Sequence, residues 1–279
     1  RSVLAVGFAG RRRRIALTEG SRAPRHWWRH MLLTHAVPLP VRRPVVSATV
    51  QLARAAGLQP TACRVELHDA PDDIAAVQAF LRRHDLKPGE FAVMHGLSRM
   101  TNKEWEPSRM AAVSDDLLQT HGLRCVWTGS PDPTDRQKLD RGVACARHAP
   151  VLCAGDLPIS AMHALLRHAR VYVGVDTAIT HVAAAAGTPC VALFGPTPTC
   201  YWSPWNNERA IDHAFPDEPG SFRNGHVSVL QDAETFRREH RWEGLATDKP
   251  SLGMAAIGVE QVMAEVAHQL TRSAVHSAA

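Results

Sequence analysis

"VYVGVDTAITHVAAAAGTPCVALFGPT", residues 171–197, is the stretch that decides the fold. It begins as an apolar run, turns polar at Asp176-Thr177, passes through a small-residue segment carrying His181, and returns to an apolar run ending in Gly-Pro-Thr. A short continuous apolar run bounded by turn residues suits a strand buried on both faces. Two such runs joined by a small-residue stretch predict strand, helix and parallel strand. The segment also sets a question, because Asp, Thr and His gather where the first strand ends.

The alternation continues outward from this unit. Strands are predicted at 90–96 (EFAVMHG), 123–129 (LRCVWTG) and 151–155 (VLCAG). Helices are predicted at 107–121, 135–148 and 158–169, and an amphipathic helix at 258–270. Apolar strands alternating with helices predict an α/β chain, with a parallel sheet covered by helices on both faces. Upstream the pattern is less regular. Residues 45–58 look helical, 71–86 read as a helix opening at an Asp/Pro cap, and KPGE (87–90) reads as a linker. The expected domains are therefore 1–88 and 89–279.

In an open parallel sheet, ligands bind at the carboxyl ends of the strands. Three loops lie there. HGLSRMTNKEW (95–105) supplies Ser98, Arg99, Thr101 and Lys103, hydroxyls and cations suited to a phosphate, although a solvated loop would use the same residue types. At the end of the 171–176 strand, Thr177 opens a helix whose first N–H groups have no internal partner and favour a negative group. Thr177 adds a hydroxyl, Ala178 is small enough for close approach, and His181 lies one turn on along the same face. Asp176 as an ordinary N-cap and His181 as a core histidine are the alternatives. In GSPDPTD (129–135), Asp132 and Asp135 are candidates for ribose hydroxyls, or the loop is a turn with Asp135 capping the next helix. There is no G-x-G-x-x-G and no Walker motif, so phosphates would be held by helix N-termini and side chains.

Composition narrows the function classes. No window reaches 18 uninterrupted apolar residues, so a membrane-spanning helix is not expected. In RSVLAVGFAGRRRR the charges follow the apolar patch, the wrong order for a signal peptide. The six Cys include no C-x-x-C pair and are expected as free thiols in a reducing compartment. Sixteen His form no metal-binding motif, and no metal site is expected. Residues 1–60 hold eleven Arg and one acid, net +10, against a whole-chain net charge of +5. Such a segment is either a solvated Arg-rich face or a surface for an anionic partner. No RNA-recognition motif accompanies the Arg run or Trp27-Trp28, so nucleic acid is not the expected partner.

These motifs together resemble glycosyltransferase family 9, the heptosyltransferases. GVDTAITHVAAAAGTPCVALFGPT is similar to the family's D-[TS]-x-x-x-H-x-A-A-A…G-P-[TS] signature, and HGLSRMTNKEW resembles its H-x-x-[ST]-x…K-x-W loop. YWSPWNN (201–207) and WWRHMLLTHAVPLP (27–40) are similar to the heptosyltransferase III branch. The resemblance implies a GT-B fold of two Rossmann-like domains, the N-terminal one incomplete in this chain. It implies ADP-heptose as donor in the C-terminal domain, a lipopolysaccharide core acceptor in the N-terminal one, and inverting transfer without metal or cofactor. Carried over, Ser98 and Lys103 bind the diphosphate, and Asp176, Thr177 and Ala178 sit at the phosphate and sugar with His181 beside them. Joined to the residue reading above, this makes Lys103, Asp176 and His181 the expected catalytic group and Ser98, Arg99, Lys103, Asp135, Asp176, Thr177, Ala178 and His181 the expected donor-binding set. Many members have Gly where this chain has Ala178, but the backbone N–H survives that change. Members also begin with a strand and a Gly-Asp loop whose Asp is thought to act as general base. No such loop precedes RSVLAVGFAG, so part of the acceptor domain is expected to be missing and no base is assigned. The implied location is cytoplasmic, with peripheral contact to the anionic inner membrane. The alternative is a nucleotide-sugar-binding module without turnover.

Overall fold

The structure, a computed structural model, describes residues 13–18, 31–38, 44–208, 216, 218–239 and 248–277. Arg11, Arg12 and Trp27-Trp28 lie outside the described residues. The chain divides into two compact units, Arg1–Arg64 with Arg209–Glu218, and Val65–Glu208 with Pro219–Ala279.

In the first unit, β1 (Ile15–Thr18) and β2 (His35–Pro38) pair in parallel, with Ile15 opposite His35. Helix α1 (Val45–Ala55) packs against both strands. The helix was legible in the sequence. The strands were not, because four residues carry too little periodicity.

The second unit begins with α2 (Pro71–Arg83), which starts on Pro71 at its first turn and not on a side-chain cap. The chain then alternates through β3 (Phe91–His95), α3 (Pro107–His121), β4 (Arg124–Gly129), α4 (Pro133–Val143) and β5 (Val151–Ala154). It continues through α5 (Met162–His168), β6 (Val171–Val175), α6 (Ala178–Ala185), β7 (Cys190–Leu193) and the short α7 (Thr199–Trp202). Strands β8 (Phe222–Asn224) and β9 (Val227–Leu230), then α8 (Ala233–Glu239), α9 (Leu252–Ala256) and α10 (Val259–Ser277), complete it.

The seven strands lie in the order β5-β4-β3-β6-β7-β9-β8, all parallel except the β8–β9 pair. Strand side chains alternate between two cores. Phe91, Val93, Tyr172, Cys190 and Ala192 meet Val77 and Phe80 of α2, Leu165 of α5 and Ala183 of α6. Ala92, Met94, Val173, Val191 and Leu193 meet Val113 and Leu117 of α3, Leu139 of α4 and Val262 and Val266 of α10. Helix α2 is thus built into the sheet's own core, and its compact unit starts at Val65, ahead of the boundary at 88 read from the linker-like KPGE. No disulfide joins the six cysteines; Cys125, Cys153, Cys190 and Cys200 are buried, whereas Cys145 is exposed.

The strand order fixes where a ligand goes. From β3 the chain moves outward to β4 and β5, then crosses back to place β6 on the other side of β3. The loops after β3 and β6 therefore leave in opposite directions. The crevice between them is the topological switch point, where open α/β sheets bind ligands.

Candidate functional site

A cavity of about 740 Å³ opens at this crevice, within the usual range for small-molecule sites. Its polar lining includes His95, Ser98, Arg99, Thr128, Ser130, Asp132, Asp135 and Thr177. An apolar wall is formed by Leu97, Leu157, Ile159, Met162 and Ile179, with Ala178 at the helix start.

The β6–α6 corner is held by a relay that begins inside the strand. Gly174 has no side chain, and a methyl there would overlap the Tyr172 hydroxyl, so the Tyr172 side chain can lie along the strand. The Tyr172 hydroxyl meets Thr180 Oγ1 at 2.9 Å, and Thr180 donates to the Val175 carbonyl at 2.5 Å. This ties the first turn of α6 to the last residue of β6. Thr177 is the N-cap residue, yet no side chain caps the helix. The Ala178 and Ile179 N–H groups have no intrahelical partner and are open to a ligand, while Thr180 N donates to the Thr177 carbonyl at 3.2 Å. The Thr177 hydroxyl is itself buried, on the side of Tyr172. Thr177 and Ala178 both line the cavity.

The charged residues form a separate cluster beside the cavity. Lys103 sits in a 3₁₀ turn (Thr101–Lys103) and donates from Nζ to Asp176 Oδ2 at 2.7 Å. The two side chains are only 19% and 7% exposed. His181 Nε2 lies 4.0 Å from Asp176 Oδ1. Burial lowers the His181 pKa, opposed by the Asp176 charge and reinforced by Lys103, so the ring is neutral at neutral pH. Asp176 is thus the hub of the cluster and not a helix cap. An ammonium has three hydrogens, and Lys103 directs one at Asp176, leaving two.

On the β4 side, Asp132 is the N-cap of α4, accepting from Thr134 N at 2.7 Å. Asp135, read from the sequence as a ribose ligand or the cap, instead accepts from Ser130 N at 3.2 Å and Ser130 Oγ at 2.5 Å. Both residues line the cavity.

Of the residues singled out in the sequence, Ser98, Arg99, Asp135, Thr177 and Ala178 line the cavity, and Lys103, Asp176 and His181 stand beside it as one network. His95 was passed over although it belongs to the same loop motif. Its Nδ1 faces the Thr128 carbonyl at 3.1 Å and Thr128 Oγ1 at 2.8 Å. A carbonyl only accepts, so Nδ1 carries the hydrogen. Burial pulls the His95 pKa down to about 4, against a smaller upward pull from the Thr128 backbone. The signal that could have found it was its position as the last residue of a central strand. Among the described residues no three His, Cys, Asp or Glu side chains converge as metal ligands. No described helix is long and apolar enough to cross a membrane.

Residues 1–218 match the model of glycosyltransferase family 9 (heptosyltransferase), more than half of the chain. The chain belongs to glycosyltransferase family 9. Its curated relatives include the lipopolysaccharide heptosyltransferase 3 of Escherichia coli, 34% identical over 118 residues, 42% of this chain and 34% of that protein. Another is the lipopolysaccharide heptosyltransferase 1 of Pseudomonas aeruginosa, 30% identical over 116 residues, 40% of this chain and 31% of that protein. The alignments thus span about a third of these relatives' length.

Among solved structures, a family 9 glycosyl transferase from Veillonella parvula superposes with a TM-score of 0.67 at 18% identity, covering 88% of this chain and 66% of that one. The E. coli ADP-heptose lps heptosyltransferase II gives 0.66 at 18% identity, covering 98% and 74%. The family 9 chain therefore has the α/β GT-B fold. The loop and helix motifs that carried the resemblance are those that meet at the switch point. In the 201–207 segment, Trp205 is buried and Trp202 is 47% exposed, and Asn207 clasps Val65 through both its backbone groups at 2.9 Å.

Proposed function

We propose that this chain transfers a heptose from ADP-heptose to the lipopolysaccharide inner core, by inverting displacement without a metal or cofactor. One observation carries the reading: an uncapped helix N-terminus and a part-buried lysine meet beside a cavity with an apolar wall, in a family 9 chain. The apolar wall suits a nucleobase, and the carboxylates of Asp132 and Asp135 suit ribose hydroxyls. The α6 N-terminus, Lys103 and Arg99 suit a diphosphate.

The chemistry follows from that placement. An acceptor hydroxyl attacks the anomeric carbon from the face opposite the leaving ADP, which inverts the configuration. Negative charge grows on the leaving diphosphate. Fixed N–H groups and cations there stabilise the transition state without reorganising, an effect worth several kcal/mol. Asp176 holds Lys103 in place, and the neutral His181 provides a further hydrogen-bonding group next to them.

A second reading, a binding module without turnover, is favoured by one fact. Among the described residues, the carboxylates of Asp132, Asp135 and Asp176 each already accept a hydrogen bond, from Thr134 N, Ser130 Oγ and Lys103 Nζ, and no general base is assigned. The test is to incubate the chain with ADP-heptose and a heptose-deficient core acceptor, following ADP release and the product anomer by NMR. The proposal expects acceptor-dependent ADP release with inversion. ADP binding without transfer selects the module, and no binding of either nucleotide removes both readings.

A further inference from the structure

Glu104 stands between Lys103 and Trp105, at the position the loop motif leaves open, and no role has been given to it. Its side chain is only 14% exposed. One oxygen, Oε1, accepts from the Ser98 backbone N–H at 3.2 Å and from Lys138 Nζ at 2.6 Å. Consecutive residues thus reach opposite ways: Lys103 to Asp176 at the end of β6, and Glu104 to Lys138 on α4.

The rest of the loop is folded around this carboxylate. Ser98 Oγ accepts from Met100 N at 3.1 Å, Lys103 N donates to Met100 O at 2.9 Å, and Glu104 N donates to Thr101 O at 3.1 Å. Trp105 closes the loop onto Gly96 O at 3.4 Å and anchors its indole on Ile257 O at 3.2 Å. An exposed ion pair at such a place would count for little. Here the lysine is 27% exposed, and the shared carboxylate oxygen also orders backbone.

We propose that Glu104 and Lys138 form a positioning pair: Glu104 shapes the loop that presents Ser98, Arg99 and Lys103, and Lys138 cancels the charge a bound diphosphate would otherwise meet. This rests on the reading of the cavity as a nucleoside-diphosphate site. Neither residue lines the cavity: Glu104 acts through the loop it orders, and Lys138 through its charge on Glu104.

The test is calorimetric titration of the whole chain with ADP, comparing wild type, Glu104→Gln, Lys138→Met, the double variant, Lys138→Arg and Lys103→Ala. Lys138→Met leaves a bare carboxylate near the anion and should weaken ADP binding about five- to tenfold. Glu104→Gln keeps an acceptor for Ser98 N–H without the charge and should stay within about twofold of wild type. The double variant should return to the affinity of Glu104→Gln, and Lys138→Arg should bind like wild type. A purely structural role predicts instead that the double variant stays as weak as Lys138→Met, which would overturn the proposal. If wild type binds ADP, Lys103→Ala does not, and Lys138→Met is indifferent, this proposal alone falls. A wild-type chain that ignores ADP overturns the donor reading and this inference with it.

Discussion

In the proposed mechanism, Lys103 is the residue on which the chemistry turns. It is held by a carboxylate that is 7% exposed, so its ammonium is fixed before any ligand arrives. Replacing Lys103 by Ala should lower transfer by roughly ten- to a thousandfold, read from initial rates with ADP-heptose. The same change leaves Asp176 buried without its cation, so the melting temperature should fall as well. Lys103→Arg, which keeps the charge, should recover much of the stability and separates the two effects. His95 makes a prediction about pH. Its folded pKa, about 4, lies below the unfolded value near 6.5. Above pH 6.5 both states are neutral and nothing changes. Between 6.5 and 4 only the unfolded chain takes up the proton, so stability falls with falling pH, by at most about 3 kcal/mol. The melting-temperature gap between wild type and His95→Gln should narrow over that window; a constant gap would count against a buried neutral ring. The residue types at the site were legible in the sequence, because strand ends and helix starts mark them. Side-chain direction was not. The sequence cannot show that Thr177 turns its hydroxyl inward, that Asp132 and not Asp135 caps α4, or that Glu104 reaches Lys138.

The β6–α6 element owes its shape to Gly174. A methyl at 174 would overlap the Tyr172 hydroxyl, which meets the first turn of α6 through Thr180. Gly174→Ala should therefore cost about 1–3 kcal/mol of stability, measured by urea denaturation, and should weaken ADP binding by shifting the helix N-terminus. Wild-type stability in that variant would show that the corner is not set by this contact. The β-α alternation from residue 90 to 193 was legible because each strand is a continuous apolar run and each helix is long enough to show its period. β8 and β9 were missed. Strands of three and four residues carry too few repeats to stand out, and their place at the sheet edge is set by β9 pairing with β7 and β8 with β9, which only the fold reveals. Helix α10 extends to Ser277, beyond the predicted 258–270, because the polar residues after Leu270 dilute the amphipathic pattern without breaking the helix.

For the whole molecule, charge separates the Arg-rich first 60 residues from the acidic remainder. If the acceptor is an anionic glycolipid, that segment should bind anionic vesicles, at about 1 kcal/mol per well-placed base. Co-sedimentation should rise with the anionic lipid fraction and fall with salt; indifference to lipid charge would leave the Arg residues as an ordinary solvated face. The central claim is narrower and concerns the switch point between β3 and β6. The measurement that tests it most directly is a crystal structure of the chain soaked with ADP. The diphosphate should lie within hydrogen-bonding distance of the Thr177 and Ala178 backbone N–H groups and of Lys103 Nζ, with the adenine against the Leu157–Met162 wall. ADP bound elsewhere, or a diphosphate turned away from both Lys103 and the α6 N-terminus, would contradict it.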